Sequence, residues 1–294
     1  MSDLFPGFTT HDVATSGAAI RCEKGGDGPP LLLLHGYPQT HVMWHKVAPA
    51  LAQSYTVVCA DLRGYGDSGK PASDENHEPY SKREMAKDAV ALMAHLGHGR
   101  FALAGHDRGA RVSHRLAADH PQAVSRVALL DIAPTLAMYE RTDMAFARAY
   151  WHWFFLIQKA PIPETMIGHD PAGYLAFKMR DRGMGADPFD PRAWAEYVRC
   201  FTPEAIHATC EDYRAAATID LEHDRADRDA GRKLACPMLV LWGSRGVIEK
   251  CYDALAEWRR VAADVRGKSL PSGHYLPEEV PDLVADEFES FFSE

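Results

Sequence analysis

Short apolar runs recur along the chain at Leu31–Leu34, Tyr55–Ala60, Phe101–Ala104, Arg126–Leu130, Met238–Trp242 and, more weakly, Asp264–Leu270. They are continuous rather than alternating. That pattern predicts strands covered on both faces, as in a parallel sheet. Helix-length amphipathic segments fill most of the gaps, at about 41–52, 81–97, 109–119 and 252–262. Strand and helix taking turns in this way predicts an α/β protein with a mostly parallel, doubly wound sheet.

The alternation stops between Pro134 and about Ile219. No strand-like run occurs there. The stretch carries the aromatic block Tyr150-Trp-His-Trp-Phe-Phe155 and helix-forming segments at 193–200 and 205–217. Prolines at 161, 163, 171, 188, 191 and 203 divide it into short helices. We read it as a helical cap inserted after one strand, above the sheet's C-terminal edge. Residues 1–134 and 220–294 then form the core, and 135–219 the cap. The highly charged run from Asp220 to Lys233 reads as a solvated loop or short helix.

Charge narrows the function. Among 294 residues, 46% are hydrophobic and 25% charged, with a net charge of −9. That balance argues against nucleic acid or an anionic membrane as partner. An anionic substrate would need local positive charge to overcome the overall field. The start, Met1-Ser-Asp-Leu-Phe-Pro-Gly7, lacks the basic and apolar regions of a signal peptide. The six cysteines are scattered, without a C-x-x-C. The expectation is a cytoplasmic protein with reduced thiols. Neither metal-ligand spacing nor a phosphate-cradling G-x-G-x-x-G occurs, so no metal or organic cofactor is expected.

Candidate chemistry centres on Gly105-His-Asp-Arg-Gly109, set between an apolar run and a helical segment. Strand, tight turn and helix make a nucleophile elbow, here with Asp107 where a serine is commoner. A carboxylate so exposed can attack carbon and form an ester that water must then cleave. Asp107 could instead be a plain helix N-cap. Its two flanking glycines favour the elbow. Leu34-His-Gly-Tyr-Pro38 follows another strand, so the N–H groups of Tyr37 and Arg108 can form an oxyanion hole. His274, after the last strand-like run, is the candidate base for activating water. Its orienting acid is either Asp131, at the end of the run Val127–Leu130, or Glu249, after Trp242. Asp131 is preferred because sites in open α/β sheets lie at strand C-termini.

Taken together, HGYPQT (35–40), DLRGYGDS (61–68), GHDRGARV (105–112), DIAPT (131–135), HW (152–153), CEDYRA (210–215) and SGH (272–274) resemble the haloacetate (fluoroacetate) dehalogenases of the α/β-hydrolase superfamily. The resemblance covers nearly the whole chain. It implies that Asp107 displaces halide from a haloacetate and that His274, oriented by Asp131, directs water onto the ester. It implies that Arg108 and Arg111 hold the substrate carboxylate, which suits two guanidiniums three residues apart at a helix start. It implies a halide site from His152, Trp153 and Tyr213, and a homodimer. Taken singly, those aromatic residues would be read as cap packing. Where the family carries a further cap tryptophan, this chain reads Lys178-Met-Arg-Asp-Arg-Gly-Met-Gly185, and its next tryptophan is Trp194. The rivals are an epoxide hydrolase, disfavoured by Arg108 beside the nucleophile, a haloalkane dehalogenase, and a non-catalytic binding protein of the same fold.

Overall fold

The computed structural model describes residues 4–180 and 187–294. Eight strands form one sheet: β1 (Thr9–Ala14), β2 (Ala19–Gly25), β3 (Pro30–Leu34), β4 (Thr56–Ala60), β5 (Phe101–His106), β6 (Val124–Leu130), β7 (Met238–Gly243) and β8 (Val265–Leu270). Their order is β1-β2-β4-β3-β5-β6-β7-β8. All pairs from β4 to β8 are parallel, whereas β1–β2 and β2–β4 are antiparallel. The apolar runs became the inner strands. In β3, Leu31, Leu32, Leu33 and Leu34 are all buried.

The antiparallel pair β1–β2 was not foreseen. Its sequences, TTHDVA and AIRCEKG, mix polar and apolar residues because one face meets solvent. The predicted helix at 41–52 is instead a 3₁₀ turn, His41–Trp44, and a short helix, Ala48–Leu51. Pro49 explains the break: it is tolerated only in a first helical turn.

Between β6 and β7 the described residues contain helices but no strand. The helical run continues through Ile219–Asp229, past the predicted end of the cap. This last helix leans on the core. Its Asp224 and Asp227 each bind Arg115 of the helix Arg108–Asp119 at 2.7 Å.

Register brings the strand ends together. Leu34 pairs with both Ala60 and Gly105, His106 with Leu130, Leu130 with Leu241, and Gly243 with Leu270. The loops that follow β3, β5, β6, β7 and β8 therefore open on one edge. Chain order reverses beside β3, whose neighbours are β4 and β5, and such a switch point is where α/β sheets place ligands. All six cysteines are free thiols. Among the described residues no helix is long and apolar enough to cross a membrane.

Candidate active site

Asp107 stands between β5 and the helix Arg108–Asp119 with φ +46° and ψ −109°. A non-glycine residue at positive φ costs on the order of 1–3 kcal/mol and needs support from its surroundings. That support is visible. The Asp107 N–H donates to the Leu130 carbonyl at 3.2 Å, and the Asp107 carbonyl accepts from the Arg111 N–H at 3.1 Å. Close packing forces the neighbouring glycines. A Cβ on Gly109 would come within 2.4 Å of the Leu34 and His35 carbonyl oxygens, and one on Gly36 within 2.6 Å of the Asp107 Cβ. The Asp107 side chain does not cap its helix. Its Oδ1 accepts the Tyr37 N–H at 3.0 Å instead, as the oxyanion-hole reading requires of Tyr37. Burial works against its charge. His274, Arg111, His106 and Arg108 outweigh burial and hold the carboxyl at about 2, so Asp107 is ionised at neutral pH.

His274 follows β8, and its Nδ1 lies 2.5 Å from Asp131 Oδ2. The other oxygen, Oδ1, accepts the Gly243 N–H at 3.0 Å. Asp131 is fully buried and also held at positive φ, +52°. Glu249, the rival acid, is bound to the Trp242 indole N–H instead. With Asp131 against Nδ1, that nitrogen carries the proton, and a neutral ring offers Nε2 as the base. Two residues that sequence reasoning passed over fix this loop. His106 donates Nε2–H to the His274 carbonyl at 2.7 Å. Glu279 accepts the N–H groups of Gly273 at 2.7 Å and Tyr275 at 3.0 Å, bracketing His274. Burial, with the nearby His274, drives His106 down to about 4, so it stays a neutral donor.

The two arginines are both buried but differ in partners. Arg108 grips Asp212 through Nε–Oδ2 at 2.9 Å and Nη2–Oδ1 at 2.6 Å. Asp212 is held in turn by the Tyr65 hydroxyl at 2.6 Å and by Lys82. Against the cost of burial, this carboxylate raises the Arg108 pKa. Arg108 Nη1 is buried without a hydrogen-bond partner among the described residues. Arg111 donates Nη1 to Thr135 Oγ1 at 2.8 Å and to the Ala133 carbonyl at 3.3 Å. Its Nε has no hydrogen-bond partner among the described residues. Burial and the adjacent Arg108 both lower its pKa. Arg111 is thus a buried cation hydrogen-bonded only to neutral groups.

The helices Trp151–Leu156 and Pro203–Ala217 bring the remaining candidates. Tyr213 lies 5.2 Å from Tyr37, 5.9 Å from His152 and 6.4 Å from Trp153, ring to ring. The Arg108 guanidinium sits 4.1 Å over the Tyr213 ring, and Arg111 sits 4.7 Å over Trp153. Tyr150 bridges from His152, at 5.4 Å, to His274, at 6.4 Å. Every predicted site residue is therefore drawn into one cluster. The Trp153 Nε1 and Tyr213 hydroxyl are buried with no hydrogen-bond partner among the described residues. Buried donors are normally satisfied, so these mark a place for an acceptor.

Of the stretch 178–185, residues 181–185 lie outside the described residues. Lys178 is buried, with its ammonium 5.8 Å from the centre of the Tyr37 ring. Trp194 packs against Phe189 at 5.8 Å, with the Arg180 guanidinium 3.7 Å over its ring.

The signature of the alpha/beta hydrolase fold matches residues 29–279, and sheet and elbow together define the chain as an α/β hydrolase. It is 48% identical over 293 residues to a fluoroacetate dehalogenase from Burkholderia sp, spanning 99% of this chain and 96% of that protein. The chain belongs to the haloacetate dehalogenase family of the α/β-hydrolase superfamily. A solved α/β-hydrolase structure from Nostoc sp PCC 7120 superposes with a TM-score of 0.96 at 57% identity, covering 99% of each chain. A soluble epoxide hydrolase from Corynebacterium sp. (strain C12) is more distant, at 33% identity over 97% of this chain and 98% of that one.

Proposed function

We propose that the protein hydrolyses haloacetates to glycolate and halide through an ester on Asp107. The observation that carries this reading is the company Asp107 keeps. An ionised, buried carboxylate shares its site with Arg111, a cation that no carboxylate hydrogen-bonds. A small anionic substrate would supply the missing partner. Arg108 Nη1 and Arg111 Nε, the unpartnered guanidinium nitrogens, are the donors for its carboxylate.

The chemistry follows from which oxygen is already engaged. Asp107 Oδ1 faces the Tyr37 N–H, so Oδ2 attacks the halogen-bearing carbon in line and becomes the ester oxygen. The halide leaves toward His152, Trp153 and Tyr213, whose donors meet its growing charge. His274 Nε2 then takes a proton from water as that water adds to the ester carbon. Negative charge develops on Oδ1, where the Tyr37 N–H stands ready at 3.0 Å, with the Arg108 N–H as second donor. Collapse releases glycolate. Asp107 regains its carboxylate and gives up the proton it gained from water, so each turnover yields one halide and one proton. The scheme uses the protein's own groups and water alone. In this reading the helices of 135–219 act as the cap that closes the site.

The test is halide release from chloroacetate and fluoroacetate, with glycolate measured in parallel. Equal amounts of halide and glycolate are expected. Absence of both products from every haloacetate would overturn the proposal.

A further inference from the structure

Tyr213 is built for more than hydrogen bonding to a halide. Its hydroxyl is buried and unpartnered among the described residues, so at rest they offer that proton no acceptor. Its ring lies beneath the Arg108 guanidinium at 4.1 Å. A tyrosinate spreads its charge into the ring, so this cation stabilises Tyr213 after proton loss. Burial and the Asp107 and Asp212 carboxylates meanwhile push the hydroxyl well above its ordinary pKa, against the pull of Arg108, and keep it protonated at rest. A group loaded with a proton and cushioned against losing it is a general acid. A departing halide, being a very weak base, has no use for one.

We propose that the same site opens a small epoxide bearing a carboxylate, oxirane-2-carboxylate, with Tyr213 as the proton donor to the ring oxygen. The inference rests on the proposed roles of Asp107 and the two arginines. The substrate is only one heavy atom larger than chloroacetate. Its carboxylate sits on the carbon to be attacked, as in a haloacetate, so Arg108 and Arg111 hold it alike. Its ring oxygen takes the place of the halogen, beside Trp153 and Tyr213.

Asp107 Oδ2 forms a bond to C2 as the C2–O bond breaks, and the electron pair goes to the oxygen on C3. That alkoxide is far more basic than a tyrosinate, so it takes the Tyr213 proton. Trp153 can donate a hydrogen bond to the same oxygen but cannot give up its proton. Water then adds to the ester carbon, passing one proton to His274, which returns it to the departing C2 oxygen. The second proton of that water leaves Asp107 and restores Tyr213. One epoxide and one water give one glycerate, with no net proton released. Haloacetate hydrolysis, by contrast, acidifies the solution.

The experiment incubates the native protein with racemic oxirane-2-carboxylate in 18O-labelled water, alongside chloroacetate, and follows glycerate by mass spectrometry. Over many turnovers, glycerate labelled at the C2 hydroxyl and not at C3 is expected, because the water oxygen enters Asp107 and reaches C2 in the next cycle. In Tyr213→Phe, epoxide opening should fall by about a hundredfold or more beyond any loss in chloride release, in line with the worth of a general acid. Chloride release by the same preparation reports that the variant is folded. Chloride release without glycerate from the native protein would overturn this inference and leave the dehalogenase reading standing. Label at C3, or equal losses on both substrates in Tyr213→Phe, would overturn it too. If neither substrate reacts, both readings fall.

Discussion

Arg108 and Asp212 are joined by two parallel hydrogen bonds, Nε to Oδ2 at 2.9 Å and Nη2 to Oδ1 at 2.6 Å, with both side chains fully buried. Each partner makes the other tolerable. Asp212 also binds Lys82, which Asp220 shares at 3.2 Å, so two carboxylates hold these two buried cations. The pair fixes which edge of Arg108 remains available, namely Nη1.

Asp212→Asn should therefore damage both fold and binding. It keeps the shape but leaves Arg108 short of its counter-charge. Breaking a buried pair costs about 3–5 kcal/mol, readable as a lower urea midpoint at pH 7. The KM for haloacetate should rise as Arg108 loses its anchor. Native-like stability and KM together would show that the pair positions nothing.

The nucleophile and the base should separate cleanly. Asp107→Asn should abolish turnover in a freshly prepared sample, because an amide is a far weaker nucleophile. His274→Asn should spare displacement but stop ester hydrolysis. One equivalent of halide should appear, and the denatured protein should carry the added mass of the acid on Asp107. A variant that releases no halide and gains no mass would refute this order of steps.

Arg111 gives a contrast to Asp212. Among the described residues no carboxylate is hydrogen-bonded to it, so Arg111→Leu should lose less stability than Asp212→Asn. Turnover of haloacetates should still suffer by about 1.5–3 kcal/mol in kcat/KM, the worth of a charge-assisted contact. Chloroacetamide, which lacks the carboxylate, should be a poor substrate for both proteins. Equal use of amide and acid would rule out a carboxylate clamp.

Glu278 should make stability depend on pH. It is buried, accepts the Tyr197 hydroxyl at 2.5 Å, and lies 3.3 Å from Lys46 Nζ and 3.9 Å from His45 Nδ1. Burial, opposed by Tyr197 and Lys46, raises its pKa from 4.5 to about 7. A folded pKa above the unfolded one means the folded state prefers the proton. Its ionisation therefore costs stability progressively from pH 4.5 to 7, reaching about 3 kcal/mol. Glu278→Gln should match the native protein near pH 4 and exceed it by about that amount at pH 8. Lys46 keeps the Pro188 and Glu278 carbonyls as acceptors in the variant. Urea unfolding at both pH values checks this, and a pH-independent difference would contradict it.

Much of this architecture could be read before the structure, for identifiable reasons. The inner strands announced themselves because burial on both faces leaves no room for polar residues, as in Leu31–Leu34. Asp107 sits in a short motif whose glycines are dictated by close contacts, and His274 follows the last strand. Asp131 was separable from Glu249 only by its place at a strand end; its Oδ2 lies 2.5 Å from His274 Nδ1. Asp212 was missed although it adjoins Tyr213. A lone acid in a helix ordinarily faces solvent, and its partner lies 104 residues away. His106 and Glu279 act on a loop that sequence cannot place beside them. The edge strands β1 and β2 carry no apolar run to detect.

The leaving group offers the sharpest test of the cap residues. C–F cleavage needs more stabilisation of the departing ion than C–Cl cleavage, because small fluoride concentrates its charge and accepts hydrogen bonds strongly. Trp153 Nε1 and the Tyr213 hydroxyl are buried donors without protein partners, so neither must break an existing bond to serve a halide. Trp153→Phe and Tyr213→Phe should each slow fluoroacetate more than chloroacetate. The difference should be about 1.5–3 kcal/mol per donor, the range for a hydrogen bond to a charged group. The two rings are 6.4 Å apart and face Arg111 and Arg108 respectively, so each variant also perturbs a cation. That perturbation acts on the shared carboxylate and affects both substrates alike. The ratio of fluoride to chloride release within one preparation cancels it. A ratio unchanged from the native value in both variants would mean that Trp153 and Tyr213 only pack the cap, even with Asp107, His274 and Asp131 in their assigned roles.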